Sequence, residues 1–142
     1  MSRLKFAFLV LACASAAATL VEAQTSTTIR LATVVPDKSA WGDSLREFAD
    51  SLKRSTANRV TLHIAPGGQQ GSEKAVVDRM LGGSIDASLL TVNGLSLIDD
   101  SFNVFGLPFF YESPAEVRHV QQKLTPMIAA KLQAKGFHLV CW

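Results

Sequence analysis

Cysteine is scarce in this 142-residue chain, with Cys13 and Cys141 as its two examples. Cleavage of the amino-terminal segment after Ala23, which the pattern there predicts, would leave Cys141 alone. An internal disulfide or a cysteine-based metal site is then excluded. The fold is therefore predicted to depend on an ordinary hydrophobic core, and about 120 residues suffice for one such core.

Patterns typical of catalytic and metal sites are also lacking. His63, His119 and His138 are the three histidines, and none has a second histidine or a cysteine at metal-ligand spacing. The chain contains no Gly-x-Ser-x-Gly turn of the kind that presents a serine nucleophile. The glycine-rich segment 66–72 lacks the Lys-Ser or Lys-Thr of a phosphate loop and is predicted to be a tight turn. These absences favour a binding protein over an enzyme, with no metal and no cofactor.

Charge of one sign is not concentrated anywhere. The chain has 14 basic and 12 acidic side chains, and the basic ones are spread evenly along it. Nucleic-acid binding normally needs a clustered basic face. No nucleic-acid partner is expected.

The amino terminus has the pattern of an exported protein. A basic start precedes an apolar run from Phe6 to Ala14, which is too short to span a membrane. Val21 and Ala23 occupy the positions that a signal peptidase inspects, so residues 1–23 are predicted to be a signal peptide that directs the chain to the periplasm. In the alternative, Cys13 belongs to an imperfect lipoprotein box and carries a lipid anchor. Ordinary cleavage is favoured because the apolar run before Cys13 is short.

Strand and helix patterns alternate along residues 24–142, which are predicted to form one domain. Apolar, β-branched runs at 28–35, 60–64 and 85–91 predict strands. Between them, Trp41, Leu45, Phe48 and Leu52 form the apolar face of one amphipathic helix and are predicted to cover the sheet, and a second helix is capped by Ser72. This order predicts a three-layer α/β lobe with a mostly parallel sheet.

The carboxyl-terminal part is predicted with the same rules. Residues 102–110 carry four phenylalanines and are predicted to be a short strand followed by an apolar turn, with the phenylalanines in the core. Ser113 begins a helix, and Thr125-Pro126 begins a further one that ends at Gly136. Residues 137–142 are predicted to be another buried strand.

The candidate ligand site lies in the loops that follow the first and third predicted strands. Ligands of open α/β sheets bind outside the carboxyl ends of the strands. The candidate ligand-binding residues there are Lys38, Ser39, Trp41, Thr91 and Asn93. Lys38 offers charge for an anion, and the others offer polar or aromatic groups. The alternative interpretation is that each side chain only caps a helix or closes a turn.

Seven short segments together resemble the solute-binding subunits of tripartite ATP-independent periplasmic (TRAP) transporters, the DctP-like family. They are Ile29–Ala32 with Pro36, Trp41-Gly42, Phe48, Arg59-Val60, Pro66–Glu73, Gly83–Asp86 and Leu107–Phe109. The resemblance covers essentially all of residues 28–142, and the order and spacing of the segments are specific.

The resemblance implies a function, and it also shows that family members are longer than this chain. Family members have two α/β lobes that close on an organic anion, commonly a dicarboxylate, a sugar acid or a keto acid, and hand it to a membrane permease. They are more than twice as long as the predicted mature chain, and the arginine that pairs with the ligand carboxylate belongs to the second lobe. The chain is therefore expected to be the first lobe, truncated before the second. The alternatives are an exported enzyme resembling α/β hydrolases, with Ser39 or Ser96 as nucleophile, and a non-functional truncated remnant.

Overall fold

The computed structural model describes residues 26–142, so the predicted signal peptide and Cys13 lie outside the described residues. The elements follow one another as β1 (Thr27–Thr33), α1 (Ala40–Ser55), β2 (Val60–Ala65), α2 (Glu73–Leu81), β3 (Ala87–Leu89), α3 (Val92–Ser96), a 3-10 helix (Asp100–Gly106) and α4 (Pro114–Ala134). Within residues 26–142, no helix has the length and apolar character needed to cross a membrane.

The three strands form one parallel sheet in the order β2-β1-β3. Thr27 lies opposite Val60 at one end of the β1–β2 pair, and Thr33 lies opposite Leu89 in the β1–β3 pair. The chain therefore moves outward to β2 and then returns across β1 to β3. Because such crossovers are right-handed, α1 and α2 lie on opposite faces of the sheet. The predicted α/β lobe with a parallel sheet is confirmed.

Helix α1 is less buried than its sequence predicts. Ser39 caps it, because the Ser39 hydroxyl accepts a hydrogen bond from the Gly42 amide at 3.1 Å. Leu45 and Leu52 are half-buried, whereas Trp41 and Phe48 are 67% and 53% exposed. The prediction that all four cover the sheet is wrong for Trp41 and Phe48. The reason is that α1 packs on β2, which is an edge strand, so part of the apolar stripe extends beyond the sheet.

Strand β3 is shorter than predicted and is anchored by an ion pair at its amino-terminal end. The guanidinium of Arg30 in β1 contacts both carboxylate oxygens of Asp86 at 2.8 Å, and the Arg30 amide donates to the same carboxylate at 2.8 Å. These hydrogen bonds hold the pKa of Asp86 well below its ordinary value. Those from the Arg30 side chain have the larger effect, and the one from the Arg30 amide has the next largest. This contact fixes the start of β3 against the central strand.

Acid is expected to weaken the lobe through Asp86. A carboxyl group whose folded pKa is depressed contributes its stability above the unfolded pKa, about 4, and loses it as the pH falls through the lower folded pKa. The denaturant midpoint of the wild type should therefore fall between about pH 5 and about pH 2, and that of Asp86→Asn should fall less. Asp78→Asn is the control, because Asp78 pairs with Lys74 only on the exposed face of α2. Parallel curves for the wild type and Asp86→Asn would contradict the assignment.

The segment after α3 is helical where a strand was predicted. Asp99 caps the 3-10 helix by accepting a hydrogen bond from the Ser101 amide at 3.0 Å, and Lys135 donates to the same carboxylate at 2.9 Å. Hydrogen bonds from Ser101 and Lys135 hold the pKa of Asp99 well below its ordinary value. Capping by Asp99 competes with extension of the chain, and this local contact decides the outcome. Phe102 is buried as predicted, but Phe109 is fully exposed, so only part of the phenylalanine cluster is core.

Helix α4 is one continuous helix, although Pro126 predicts a new start. Ser113 caps it as predicted: its hydroxyl accepts from the Glu116 amide at 3.3 Å, and the Glu116 carboxylate accepts from the Glu112 amide at 2.8 Å. Pro126 has no amide to donate to Gln122, but Gln122 is exposed, so water can satisfy its carbonyl group. Burial of the following residues Ile128 and Leu132 compensates for the lost hydrogen bond.

Residues 137–142 form no strand, which corrects the sequence prediction. No strand of the described part lies beside them to share hydrogen bonds. Phe137 and Leu139 pack instead on a core formed by Phe102, Ile128 and Leu132. The Trp142 ring lies 5.8 Å from the Phe102 ring and 5.1 Å from the Phe105 ring, centroid to centroid. A second core, formed by Ala32, Val76 and Ile85, lies between the sheet and α2.

Candidate functional site

The loops that follow all three strands meet at one edge of the sheet, which we call the carboxyl edge (residues 34–39, 66–72 and 90–91). Parallel pairing places the ends of β1 and β3 side by side, as the sequence predicts. The turn after β2 folds over the end of β1: the amide of Gly67 donates to the Val35 carbonyl at 2.7 Å, and that of Gly68 to the Thr33 carbonyl at 3.0 Å. Gly67 and Gly68 both have positive φ, which this turn requires.

Lys38, Ser39 and Trp41 lie where β1 gives way to α1. The Ser39 hydroxyl donates to the Pro36 carbonyl at 2.6 Å besides capping α1, so its hydrogen is already used. Lys38 and Trp41 are exposed. Of these three residues, Lys38 and Trp41 therefore offer accessible groups, and Ser39 shapes the loop.

Thr91 and Asn93 lie where β3 gives way to α3. A loop was predicted after the third strand, but the structure has a short helix there, with Thr91 as its cap. The Thr91 amide and hydroxyl both donate to the Glu73 carboxylate, at 2.5 Å and 2.7 Å. Asn93 is exposed. Thr91 thus resembles Ser39, because its polar hydrogens are occupied within the protein.

Glu73 is a residue of this site that the sequence reasoning missed. It is the first residue of α2, and Ser72 caps that helix as predicted. The pattern of residues 72–73 indicates only a helix start. The contact of Glu73 with Thr91, 18 residues further along the chain, depends on the return of the chain across the sheet.

A groove of about 370 Å³ opens between α1 and β2 and adjoins the carboxyl edge, because Val35, Asp37, Pro66 and Gln69 line part of it. Its walls carry polar side chains from Asp37, Arg46, His63 and Gln69, and apolar ones that include Val35 and Leu45. The guanidinium of Arg46 is held by ion pairs with Asp37 and Asp43. None of the five predicted ligand-binding residues lines this groove. The structure therefore places those five at one edge without enclosing them in this cavity.

The two serines considered as nucleophiles are both engaged with backbone groups. Ser39 donates to Pro36, and the Ser96 hydroxyl donates to the Val92 carbonyl at 2.8 Å. A serine nucleophile needs a histidine or another base as its hydrogen-bond acceptor. Over residues 26–142, no group of three or more His, Cys, Asp or Glu side chains is arranged to hold a metal ion.

A parallel sheet with helices on both faces and three loops at one open edge defines an α/β lobe of the ligand-binding kind. Residues 31–142 match the family described as bacterial extracellular solute-binding protein, family 7 (DctP). The chain belongs to this family, and the resemblance found in its sequence is confirmed. Members of the family are binding proteins rather than enzymes.

Several known proteins are similar to this chain over part of their length. The 2,3-diketo-L-gulonate-binding periplasmic protein of Escherichia coli is 22% identical over 98 residues, which are 68% of this chain and 30% of that protein. An extracytoplasmic solute receptor of Bordetella pertussis that binds pyroglutamic acid has a TM-score of 0.74 and 23% identity, over 81% of this chain and 38% of that one. A TRAP periplasmic solute-binding protein of Roseobacter denitrificans with bound β-D-glucuronate has a TM-score of 0.72 and 21% identity, over 79% and 37%.

These likenesses establish the fold of the described part. The chain spans less than two fifths of the length of each of these three relatives.

Proposed function

We propose that this chain provides the first lobe, residues 24–142, of the solute-binding subunit of a TRAP transporter. In this role it captures an organic anion outside the cytoplasm and delivers it to the permease subunits in the membrane. The observation that carries the proposal is the family match over residues 31–142, combined with the convergence of three strand-end loops at the carboxyl edge. Strand-end loops are where ligands of α/β sheets bind.

The class of ligand follows from the relatives and from the carboxyl edge. Glucuronate and pyroglutamic acid, found with two of the relatives, both carry a carboxylate. Lys38 is a cationic side chain beside the amino terminus of α1, where negative charge is favoured. Asn93 is both a donor and an acceptor, as recognition of hydroxyl groups requires. We infer that the ligand is a dicarboxylate, a sugar acid or a keto acid and that Lys38, Trp41 and Asn93 face it, with Ser39 and Thr91 shaping the loops.

The same proposal includes export. Residues 1–23 are proposed to be removed as a signal peptide, leaving a periplasmic protein that begins at Gln24; a lipid anchor at Cys13 is the alternative. The family description as extracellular supports export.

Binding by this chain alone is expected to be weak. Solute-binding proteins exclude water by closing two lobes, so one lobe leaves a small anion largely hydrated. A single lobe also lacks the charge-assisted contact that the resemblance assigns to an arginine of the second lobe. Loss of this one contact to the ligand carboxylate costs about 2–5 kcal/mol, or roughly 30-fold to several-thousand-fold in Kd. We expect no organic acid to bind more tightly than about 1 mM. We also expect self-association, since Trp41, Phe48, Phe109 and Val140 expose apolar surface.

One preparation of the exported protein tests both the cleavage before Gln24 and the weak binding of organic acids. The intact mass of the exported protein should correspond to a chain beginning at Gln24, and a diacylated Cys13 would contradict cleavage.

Calorimetry of the same sample with glucuronate, galacturonate and succinate should show no binding in the micromolar range. Amide NMR spectra at tens of millimolar galacturonate should show shifts confined to residues 36–41 and 91–93. Shifts confined to the groove residues outside the carboxyl edge, Leu45, Arg46, His63 and Ile64, would overturn the site. A micromolar one-to-one isotherm from monomeric protein would overturn the need for a second lobe.

A further inference from the structure

The Glu73 carboxylate connects two of the three loops at the carboxyl edge. Glu73 belongs to α2, which follows the turn after β2, whereas Thr91 follows β3. One carboxylate oxygen accepts from the Thr91 amide at 2.5 Å, and the other accepts from the Thr91 hydroxyl at 2.7 Å. Both donors meet one carboxylate group, and hydrogen bonds to a carboxylate are of the stronger, charge-assisted type. Thr91 is thereby held at both its backbone and its side chain.

The packing of Gly94 shows how closely α3 approaches this carboxylate. Gly94 is buried, and a Cβ atom added there would lie 2.7 Å from Cδ of Glu73 and 2.8 Å from Oε1. The Gly94 amide in turn donates to the Thr91 hydroxyl at 3.4 Å. Asn93 lies between these two residues, so Glu73 contacts the chain on both sides of it.

We propose that Glu73 is a positioning residue of the ligand-binding edge. It fixes Thr91 and Gly94 and through them sets where Asn93 presents its amide to the ligand. This inference rests on the proposed function, since it takes the carboxyl edge to be the place where ligand binds. It also assigns Thr91 a role different from the predicted one: Thr91 transmits the position of Glu73 and does not donate to the ligand.

Glu116 provides a matched control in the same chain. Its carboxylate also accepts from a backbone amide, that of Glu112 at 2.8 Å, in the first turn of a helix of this lobe. Substitution of either glutamate removes a carboxylate–amide hydrogen bond, but Glu116 contacts no loop of the carboxyl edge. Effects common to both substitutions are structural, and effects confined to Glu73 concern the site.

Amide hydrogen exchange of Thr91, followed by NMR in the purified protein, tests the contact directly. In Glu73→Ala, exchange of the Thr91 amide should be on the order of tenfold to a hundredfold faster, because a hydrogen bond to a charged group is lost. Glu116→Ala should leave Thr91 unchanged. Glu73→Gln keeps an acceptor for one of the two donors and should give an intermediate rate. Unchanged exchange in both Glu73 variants would overturn the proposal.

A ligand titration separates positioning from a purely structural role. With galacturonate as the probe, the shift of the Asn93 side-chain amide should be lost or reversed in Glu73→Ala, restored in part in Glu73→Gln and kept in Glu116→Ala. An Asn93 response equal to that of the wild type in every variant would sink the positioning role. If Glu73→Ala does not fold, the single variants Thr91→Val and Glu73→Gln are compared instead. Thr91→Val removes the hydroxyl that donates to Glu73, and Glu73→Gln keeps an acceptor for one of the two donors. If the wild type itself shows no shift at the carboxyl edge, the proposed function fails for this probe, while the exchange rates still decide whether Glu73 holds Thr91.

Discussion

Replacement of Phe102 by alanine is expected to lower the free energy of unfolding by about 3–5 kcal/mol. Phe102 has no exposed surface and packs with Ile128 and Leu132 of α4. Its ring also contacts that of Trp142, which ties the end of the chain to the same core. Removal of the ring leaves a cavity that the rigid surroundings fill only in part, and this adds to the lost hydrophobic burial. Urea denaturation followed by circular dichroism measures the change.

Phe109→Ala is the control for this substitution. Phe109 is fully exposed and adopts a positive φ of 60°, a backbone conformation that is costly for a bulky residue. Its replacement should change the free energy of unfolding by less than about 0.5 kcal/mol and should reduce self-association. Equal losses at Phe102 and Phe109 would contradict the assignment of the carboxyl-terminal core.

Gly42→Ala is expected to destabilise the lobe by about 3 kcal/mol, at the upper end of the usual cost of overpacking. A Cβ atom at this buried position would lie 2.1 Å from the Asp37 carbonyl oxygen and 2.8 Å from that of Pro36. Both neighbours are backbone atoms of the loop that leads into α1, so they cannot rotate away as a side chain can. The loop carrying Lys38 and Ser39 would have to move, and urea denaturation should report the cost.

Gly82→Ala is the matched control, since it adds the same methyl group at the end of α2. The nearest atom to that methyl is the Asp78 carbonyl oxygen at 3.5 Å, which is ordinary contact, and Gly82 has the helical φ of −79°. This variant should be neutral or more stable by about 0.4–1 kcal/mol, because alanine has less freedom in the unfolded chain. A loss at Gly82 as large as that at Gly42 would show that close packing is not the cause.

Local patterns predicted the first half of the lobe well. Apolar runs gave the strands, and Ser72 caps a helix where the sequence placed it, as Ser113 does in the second half. Such signals depend on residues within one turn or strand of each other. Some of the wrong predictions are cases in which a distant contact overrides a local preference. Pro126 is one case, because burial of the next turn of α4 compensates for its missing amide.

The meeting of the loops that carry the candidate residues was predictable, but the contacts of those residues were not. Parallel pairing brings the ends of β1 and β3 together, and this follows from the order of strands and helices alone. The sequence does not show that the hydroxyl groups of Ser39 and Thr91 are already occupied, since one partner is a carbonyl group and the other is Glu73, in a different element. The burial of Phe102 likewise depends on a different element, since Phe102 packs on Ile128 and Leu132 of α4.

The two tryptophans lie in different surroundings, so their fluorescence reports on two different parts of the chain. Trp41 is 67% exposed at the start of α1, beside the loop that carries Lys38. Trp142 lies against the rings of Phe102 and Phe105, and its indole nitrogen donates to the Thr125 hydroxyl at 2.9 Å. Trp142 is also 46% exposed, so the difference between the two residues is one of neighbours: Trp41 lies in water next to the candidate site, and Trp142 contacts aromatic rings of the carboxyl-terminal core. The fluorescence of Trp41 monitors solvent and solute at the carboxyl edge, and that of Trp142 monitors the seating of the final residues, without any added label.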